Sequence, residues 1–147
     1  MKMKVPFIKL HPNAVMPTYG SASAAGADLY ALAEEDIFIP AGETVFVSTG
    51  IAMEIPEGFV GLVFARSSMG AKRNLAPANK VGVIDSDYRG EIRVVLHNHG
   101  ATDQVVAPGE RIAQLVIVPY LTAEFEECTS ITGTERGAGG FGSTGRK

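Results

Sequence analysis

A single cysteine, Cys128, cannot form an intrachain disulfide, so the chain must be held by packing alone, and a reducing compartment fits it. No segment approaches the ~18 consecutive apolar residues of a membrane-spanning helix. The opening Met-Lys-Met-Lys-Val-Pro-Phe-Ile-Lys-Leu-His is broken by Pro6, Lys9 and His11, so it lacks the apolar run of a signal peptide. Together these absences predict a cytoplasmic protein with no membrane partner. An excess of positive charge is missing too. With 13 Lys and Arg against 16 Asp and Glu, the formal charge is -3, which argues against a general nucleic-acid binder. A small anionic ligand in a local positive pocket stays open. His11, His97 and His99 show no metal-ligand spacing and read as surface residues. No true sequence repeat is present.

The 147 residues suit one domain with a core of its own, since a chain of this size buries roughly 68–70% of its unfolded surface. At 46% hydrophobic and 20% charged residues, a disordered chain is excluded. Short apolar runs separated by turns predict strands at Lys4 to Leu10, Ile37 to Pro40, Val45 to Val47, Ile51 to Ile55, Phe59 to Phe64 and Ile112 to Pro119. Leu121 to Glu127 is expected to continue the last of these, and Met16 to Ala25 reads as a loop. The segments from Val45 to Val47 and from Ile51 to Ile55 form two strands, or one bent at Gly50. Turns recur at Ala41-Gly42, Pro56-Glu57-Gly58 and Pro108-Gly109, a spacing that suits an antiparallel barrel or sandwich. Only Ser67 to Lys72 invites a helix, with Ser67 or Ser68 as its N-cap and Gly70 and Asn74 limiting its length.

Three stretches and two single residues carry candidate chemistry. Gly82-Val-Ile-Asp-Ser-Asp-Tyr-Arg-Gly-Glu-Ile92 reads as a β-hairpin with Asp85, Asp87 and Tyr88 near its tip. There Asp85 either caps its own loop or orients a water from a stiff backbone. Ala65-Arg66-Ser67-Ser68-Met69-Gly70 follows a strand and opens the helix. It is either a capped helix with a solvated arginine, or an anion site made of a guanidinium, two hydroxyls and backbone N–H groups. Gln114, mid-strand, either faces solvent or completes a site, and Asp28, just after Gly26, is either a turn acid or part of one. From Ile131 onward the chain is glycine-rich without a core pattern. Arg136, Phe141, Ser143 and Thr144 make it either a mobile end or a segment that stacks on a base and binds phosphate.

These residues fall in five stretches that resemble, in order, the five motifs of the trimeric dUTPase (dUTP pyrophosphatase) family. The stretches are Ala25-Gly-Ala-Asp-Leu-Tyr-Ala31, Ala65-Arg-Ser-Ser-Met-Gly70, Gly82-Val-Ile-Asp-Ser-Asp-Tyr-Arg-Gly90, Pro108-Gly-Glu-Arg-Ile-Ala-Gln-Leu115 and Arg136-Gly-Ala-Gly-Gly-Phe-Gly-Ser-Thr-Gly145. The resemblance implies an all-β, jelly-roll-like β-barrel over residues 1–130 with one short helix. It implies a lid tail over 131–147 that closes on a neighbouring subunit of a homotrimer. It also implies Mg²⁺-dependent hydrolysis of dUTP to dUMP and pyrophosphate. In that scheme Asp85 activates the attacking water, Tyr88 stacks on the deoxyribose, and Asn79 with backbone near Gly82 and Ile84 reads uracil. Arg66, Ser67, Ser68 and Gln114 hold phosphates, Asp28 reaches Mg²⁺ through water, and Arg136, Phe141, Ser143 and Thr144 close the site. A dCTP deaminase on the same fold, or an idle nucleotide-binding module, are the competing readings.

Overall fold

A computed structural model of the chain describes residues 2–145. The chain is all-β and jelly-roll-like, and every strand pair is antiparallel. The strands, in order, are β1 Phe7–Lys9, β2 Thr18–Tyr19, β3 Ala27–Tyr30, β4 Ile37–Ile39, β5 Thr44–Ser48, β6 Ile51–Met53 and β7 Phe59–Phe64. The helix α1, Ser67–Arg73, follows, then β8 Leu75–Pro77, β9 Gly82–Ile84, β10 Arg93–Asn98, β11 Gln104–Val106 and β12 Arg111–Pro119. A five-stranded sheet runs β2-β3-β12-β7-β9, and a three-stranded sheet runs β5-β10-β8. Two ribbons, β1-β6 and β11-β4, complete the structure. Leu29, Ile39, Val47, Leu96, Val106 and Ile112, drawn from both sheets and both ends of the chain, lie in one core and are almost wholly buried. Alternation explains much of this: along β10, Val94, Leu96 and Asn98 are buried while Arg93, Val95 and His97 are not.

Of the two alternatives at Gly50, the structure has two strands, which lie in different sheets, and Gly50, at φ +68, makes the corner between them. Other expectations need correction. Leu121 to Glu127 does not prolong β12; it is irregular and exposed. Beyond Pro119 the chain has lost its neighbours on both edges, so a further ladder has nothing to pair with. The expected loop from Met16 to Ala25 contains the two-residue strand β2, and β8 was not foreseen at all. In α1 neither serine is the N-cap. Arg66 takes that position without a side-chain cap, and Asn74 ends the helix in the left-handed conformation. Arg73 in the last turn fastens the helix to β11 and its flank through Glu110, the Val105 carbonyl and Gln104 Oε1.

Where β10 ends, His97 and His99 stand with ring centroids 4.4 Å apart. Partial desolvation first, then the charges of Lys80 and His97, hold the His99 imidazole below the usual histidine range.

The corner at Gly50 is sterically closed. A Cβ there would lie 2.6 Å from Leu32 Cδ2 and 2.8 Å from Ala14 Cβ. Gly50→Ala therefore combines left-handed strain with overpacking, and thermal unfolding should show a loss of about 2–4 kcal/mol. A Tm equal to that of the parent would mean the corner is soft.

Candidate active site

The expected hairpin around Asp85 is not a hairpin. β9 pairs with β7, with Gly61 opposite Ile84 and Val63 opposite Gly82. β10 instead pairs with β5 and β8 in the other sheet. The two strands therefore part like the jaws of a wedge. β9 is the last strand of its sheet, so its outer N–H and C=O groups have no ladder partner. Across the gap, β8 pairs only with Leu96 to Asn98 of β10, so beyond the Val95 carbonyl, which accepts from Ala78 N–H (2.7 Å), the Arg93 to Val95 edge has no strand beside it. A cleft of about 240 Å³ lies between them, lined by Asn79, Gly82, Ile84, Asp85, Tyr88 and Val95 among others. That is below the roughly 300–1,000 Å³ of drug-sized pockets, room for a nucleoside rather than its triphosphate.

The loop from Asp85 to Glu91 is tightly braced. Tyr88 N–H donates to the Asp85 carbonyl (3.1 Å), and Tyr88 Oη donates to the Glu91 carbonyl (2.9 Å). The Tyr88 ring lies over Gly90 so closely that a Cβ would meet its Oη at 2.5 Å. Only glycine leaves the ring there. Glu91, which the sequence did not single out, accepts from Gly50 N–H (2.9 Å) and Ser48 Oγ (3.4 Å). It thereby ties this loop to the Gly50 corner. The Asp85 carboxylate, by contrast, is exposed and has no hydrogen-bond or ion-pair partner among the described residues. It does not cap its own loop through its side chain. It also borders a second cleft with Glu57, Asp87 and Tyr120.

A second cluster forms at the junction of β3, β12 and the end of β7. Asp28 is no turn acid: it sits in β3, nearly buried, opposite Gln114 of β12. One carboxylate oxygen accepts from Arg66 Nε at 2.8 Å and the other from Arg111 NH1 at 3.1 Å. Arg66 also reaches Ser68 Oγ (3.4 Å) and the Arg111 carbonyl (3.3 Å). Gln114 turns inward, its amide donating to the Ala65 carbonyl (2.9 Å) and its Oε1 lying where a Gly26 Cβ would be. Ser67 and Ser68 stay exposed beside Arg66. Arg111 was missed because its partner lies 83 positions away in sequence.

The two clusters do not meet in one chain. β7 and β9 are antiparallel, so Arg66 leaves the ladder at one end and Asp85 at the other. Three residues of travel in each direction put them on the order of 20 Å apart. Arg136, Phe141, Ser143 and Thr144 join neither cluster. From Thr134 to Gly145 every hydrogen bond among the described residues is local, and Phe141 is fully exposed. The tail's last positions, 146 and 147, lie outside the described residues.

A sequence profile of the dUTPase family matches residues 12–145. The chain belongs to the dUTPase family. A deoxyuridine 5'-triphosphate nucleotidohydrolase from Wolinella succinogenes is 47% identical over 145 residues, covering 99% of this chain and 96% of that one. Staphylococcus bacteriophage 80alpha dUTPase, solved with dUPNHPP, superposes with a TM-score of 0.88 at 29% identity, covering 98% of this chain and 99% of that one. A mutant dUTPase from phage phi11 of S. aureus, described as revealing the coordination of a structural Mg(II) ion, gives a TM-score of 0.79 at 26% identity, over 87% and 98% of the two chains. Among the described residues of this family member, no helix is long and apolar enough to cross a membrane.

Because Asp28 anchors two guanidinium groups, Asp28→Asn should free both and place an amide N–H₂ against a cation. A loss of about 1–3 kcal/mol in chemical denaturation is expected, largely through the better-buried Arg66 pair. Unchanged stability would show that the arginines hold their places without it.

Proposed function

We propose that the chain hydrolyses dUTP to dUMP and pyrophosphate, at sites assembled from more than one copy. The observation that carries this reading is the unpaired edge of β9 beside an unpartnered carboxylate. Uracil presents a carbonyl, an N3–H and a second carbonyl along one side, a pattern that an open strand edge can meet with alternating donors and acceptors. Asn79 adds a side-chain amide at the cleft. Cytosine offers the wrong sequence of groups and leaves buried ones unpaired. Thymine's methyl meets the cleft wall. Tyr88, held over Gly90, packs on the sugar and excludes a 2′-hydroxyl.

Asp85 then has a free carboxylate next to the bound nucleoside. It orients a water and takes its proton as the water oxygen attacks the α-phosphorus. The bond from that phosphorus to the bridging oxygen breaks, and the electron pair leaves with pyrophosphate. Such transfers depend on positioning and charge neutralisation more than on covalent chemistry by the protein. The neutralising charges are Arg66, with Ser67, Ser68 and Gln114 around it, and these lie too far from Asp85 within one chain. A second copy can bring its arginine cluster to the first copy's cleft, and a homotrimer with shared sites satisfies this for every subunit. The tail, residues 131–147, closes the site of a neighbouring subunit. Phe141 covers the base, and Arg136, Ser143 and Thr144 meet the terminal phosphate, which shuts out bulk water.

The donor set fits Mg²⁺ held mainly by the substrate. No group of three His, Cys, Asp or Glu forms a cage among the described residues. Each Asp28 oxygen accepts one charged hydrogen bond and keeps a lone pair for a metal-bound water. Bound there, Mg²⁺ would supply charge neutralisation to the phosphate chain. A role in limiting uracil in DNA and supplying dUMP follows from the reaction, and a cytoplasmic address suits the exposed Cys128 thiol.

Pyrophosphate release from dUTP, UTP, dTTP and dCTP tests the reading directly: dUTP alone should be turned over efficiently. Asp85→Asn should keep dUTP affinity and lose at least ~10²-fold in kcat. Near-parental turnover in that variant, or ammonia released from dCTP, would overturn the assignment. The shared site makes a separate prediction. Asp85→Asn and Arg66→Ala proteins, each inactive alone, should regain partial activity when unfolded together and refolded as mixed oligomers. If the mixture stays as inactive as its components, both clusters serve one site from one chain.

A further inference from the structure

We infer that His97 and His99 form a two-imidazole site for a divalent transition ion such as Zn²⁺, Ni²⁺ or Cu²⁺, outside the nucleotide cleft. Two residues apart at the end of β10, the two side chains fall on the same side of the strand, and their rings meet at 4.4 Å and 67°. The residue between them fixes the pair. Asn98 is fully buried, donates to the Ile39 carbonyl (3.0 Å) and the Thr102 carbonyl (2.8 Å), and accepts from Gly100 N–H (2.9 Å). The His99 N–H is itself bound to the Asn74 carbonyl at 2.8 Å. The backbone carrying both imidazoles is therefore anchored on both sides.

His97 has the support that metal-binding histidines commonly have. Its Nδ1 lies 2.8 Å from Oγ1 of Thr44, its cross-strand partner, so with Nδ1–H donating, Nε2 keeps its lone pair for a ligand. The His99 ring has no hydrogen-bond partner among the described residues. Imidazole pairs favour borderline ions over Mg²⁺, which prefers oxygen. No third His, Cys, Asp or Glu joins the pair among the described residues, so water fills the remaining positions. The charge of Lys80 acts against a dication there and keeps the affinity below that of a four-ligand site.

The test is calorimetric titration of Zn²⁺ into the tag-free full chain carrying Cys128→Ser, which removes the exposed thiol as a competing ligand. One ion per chain is expected. His99→Gln and His97→Gln should each weaken binding at least ~10-fold, and Thr44→Val about 10-fold through the lost orienting bond. Thr44→Ser should restore it, and His11→Gln should change nothing. A second measurement guards against misfolded variants. In the unsubstituted histidine background, substoichiometric Cu²⁺ should broaden the imidazole NMR signals of His97 and His99 before that of His11. Equal broadening of all three, or Zn²⁺ binding indifferent to His99→Gln, would overturn the proposal. The Mg²⁺-supported release of pyrophosphate from dUTP should be unaltered in His99→Gln, which keeps this test apart from that of the catalytic reading.

Discussion

The separation of β9 from β10 governs the rest of the structure. Backbone N–H and C=O groups are obligatory hydrogen-bonding partners, and two strands joined by an eight-residue connection would ordinarily satisfy each other. Here β9 is recruited by β7 and β10 by β5 and β8, so β9 and β10 do not pair with each other and the outer edge of β9 is left open. Water can fill such a gap; on the proposed reading a planar ring with alternating donors and acceptors fills it better. Selectivity would then need few dedicated side chains, because the groups that meet the ring would belong to the backbone. The same separation leaves the loop from Asp85 to Glu91 spanning both sheets, which is why its bracing through Tyr88, Gly90 and Glu91 matters.

The charged cluster obeys a different constraint. Burying Asp28 in β3 would be costly without compensation, and two arginines distant in sequence, Arg66 at the start of α1 and Arg111 of β12, supply it. The pairing fixes the Arg66 backbone at the start of α1, while Gln114 holds the carbonyl just before it. Arginine is well suited to this double duty. With Nε committed to Asp28 and Nη1 to Ser68 and the Arg111 carbonyl, Nη2 of its planar fork still has N–H groups to offer phosphate oxygens. A lysine would have to choose between the two.

Strand content was legible where the apolar run was long. β7 was located to the residue, and β12 to within one. What escaped was short or non-local. β8 has three residues ending in Pro77, too few to show a period of two, and β2 has only two. The hairpin reading around Asp85 failed because local sequence reports that two strands exist, not which sheet recruits each one. Glu91 and Arg111 were passed over for a related reason: their partners are 41 and 83 positions away. Asp28, Arg66, Asp85 and Tyr88 stand out as site candidates through the order of five short motifs rather than through any single residue's pattern. Taken alone, each had an ordinary structural explanation.

The tail shows why one chain leaves the site unfinished. A glycine-rich segment such as the one from Gly137 to Gly145 loses more backbone entropy on ordering than an average one, at roughly 1–2 kcal/mol per residue. Its hydrogen bonds among the described residues are all short-range, and Phe141 lies fully exposed. On the proposed reading, repayment comes from contacts made only when a base and a phosphate chain are present. A lid of that kind would close in proportion to its ligand's fit, so a nucleotide that sat poorly against the β9 edge would also fail to order the tail. The proposal thus couples base recognition to exclusion of water through a segment that touches neither cluster in the free chain.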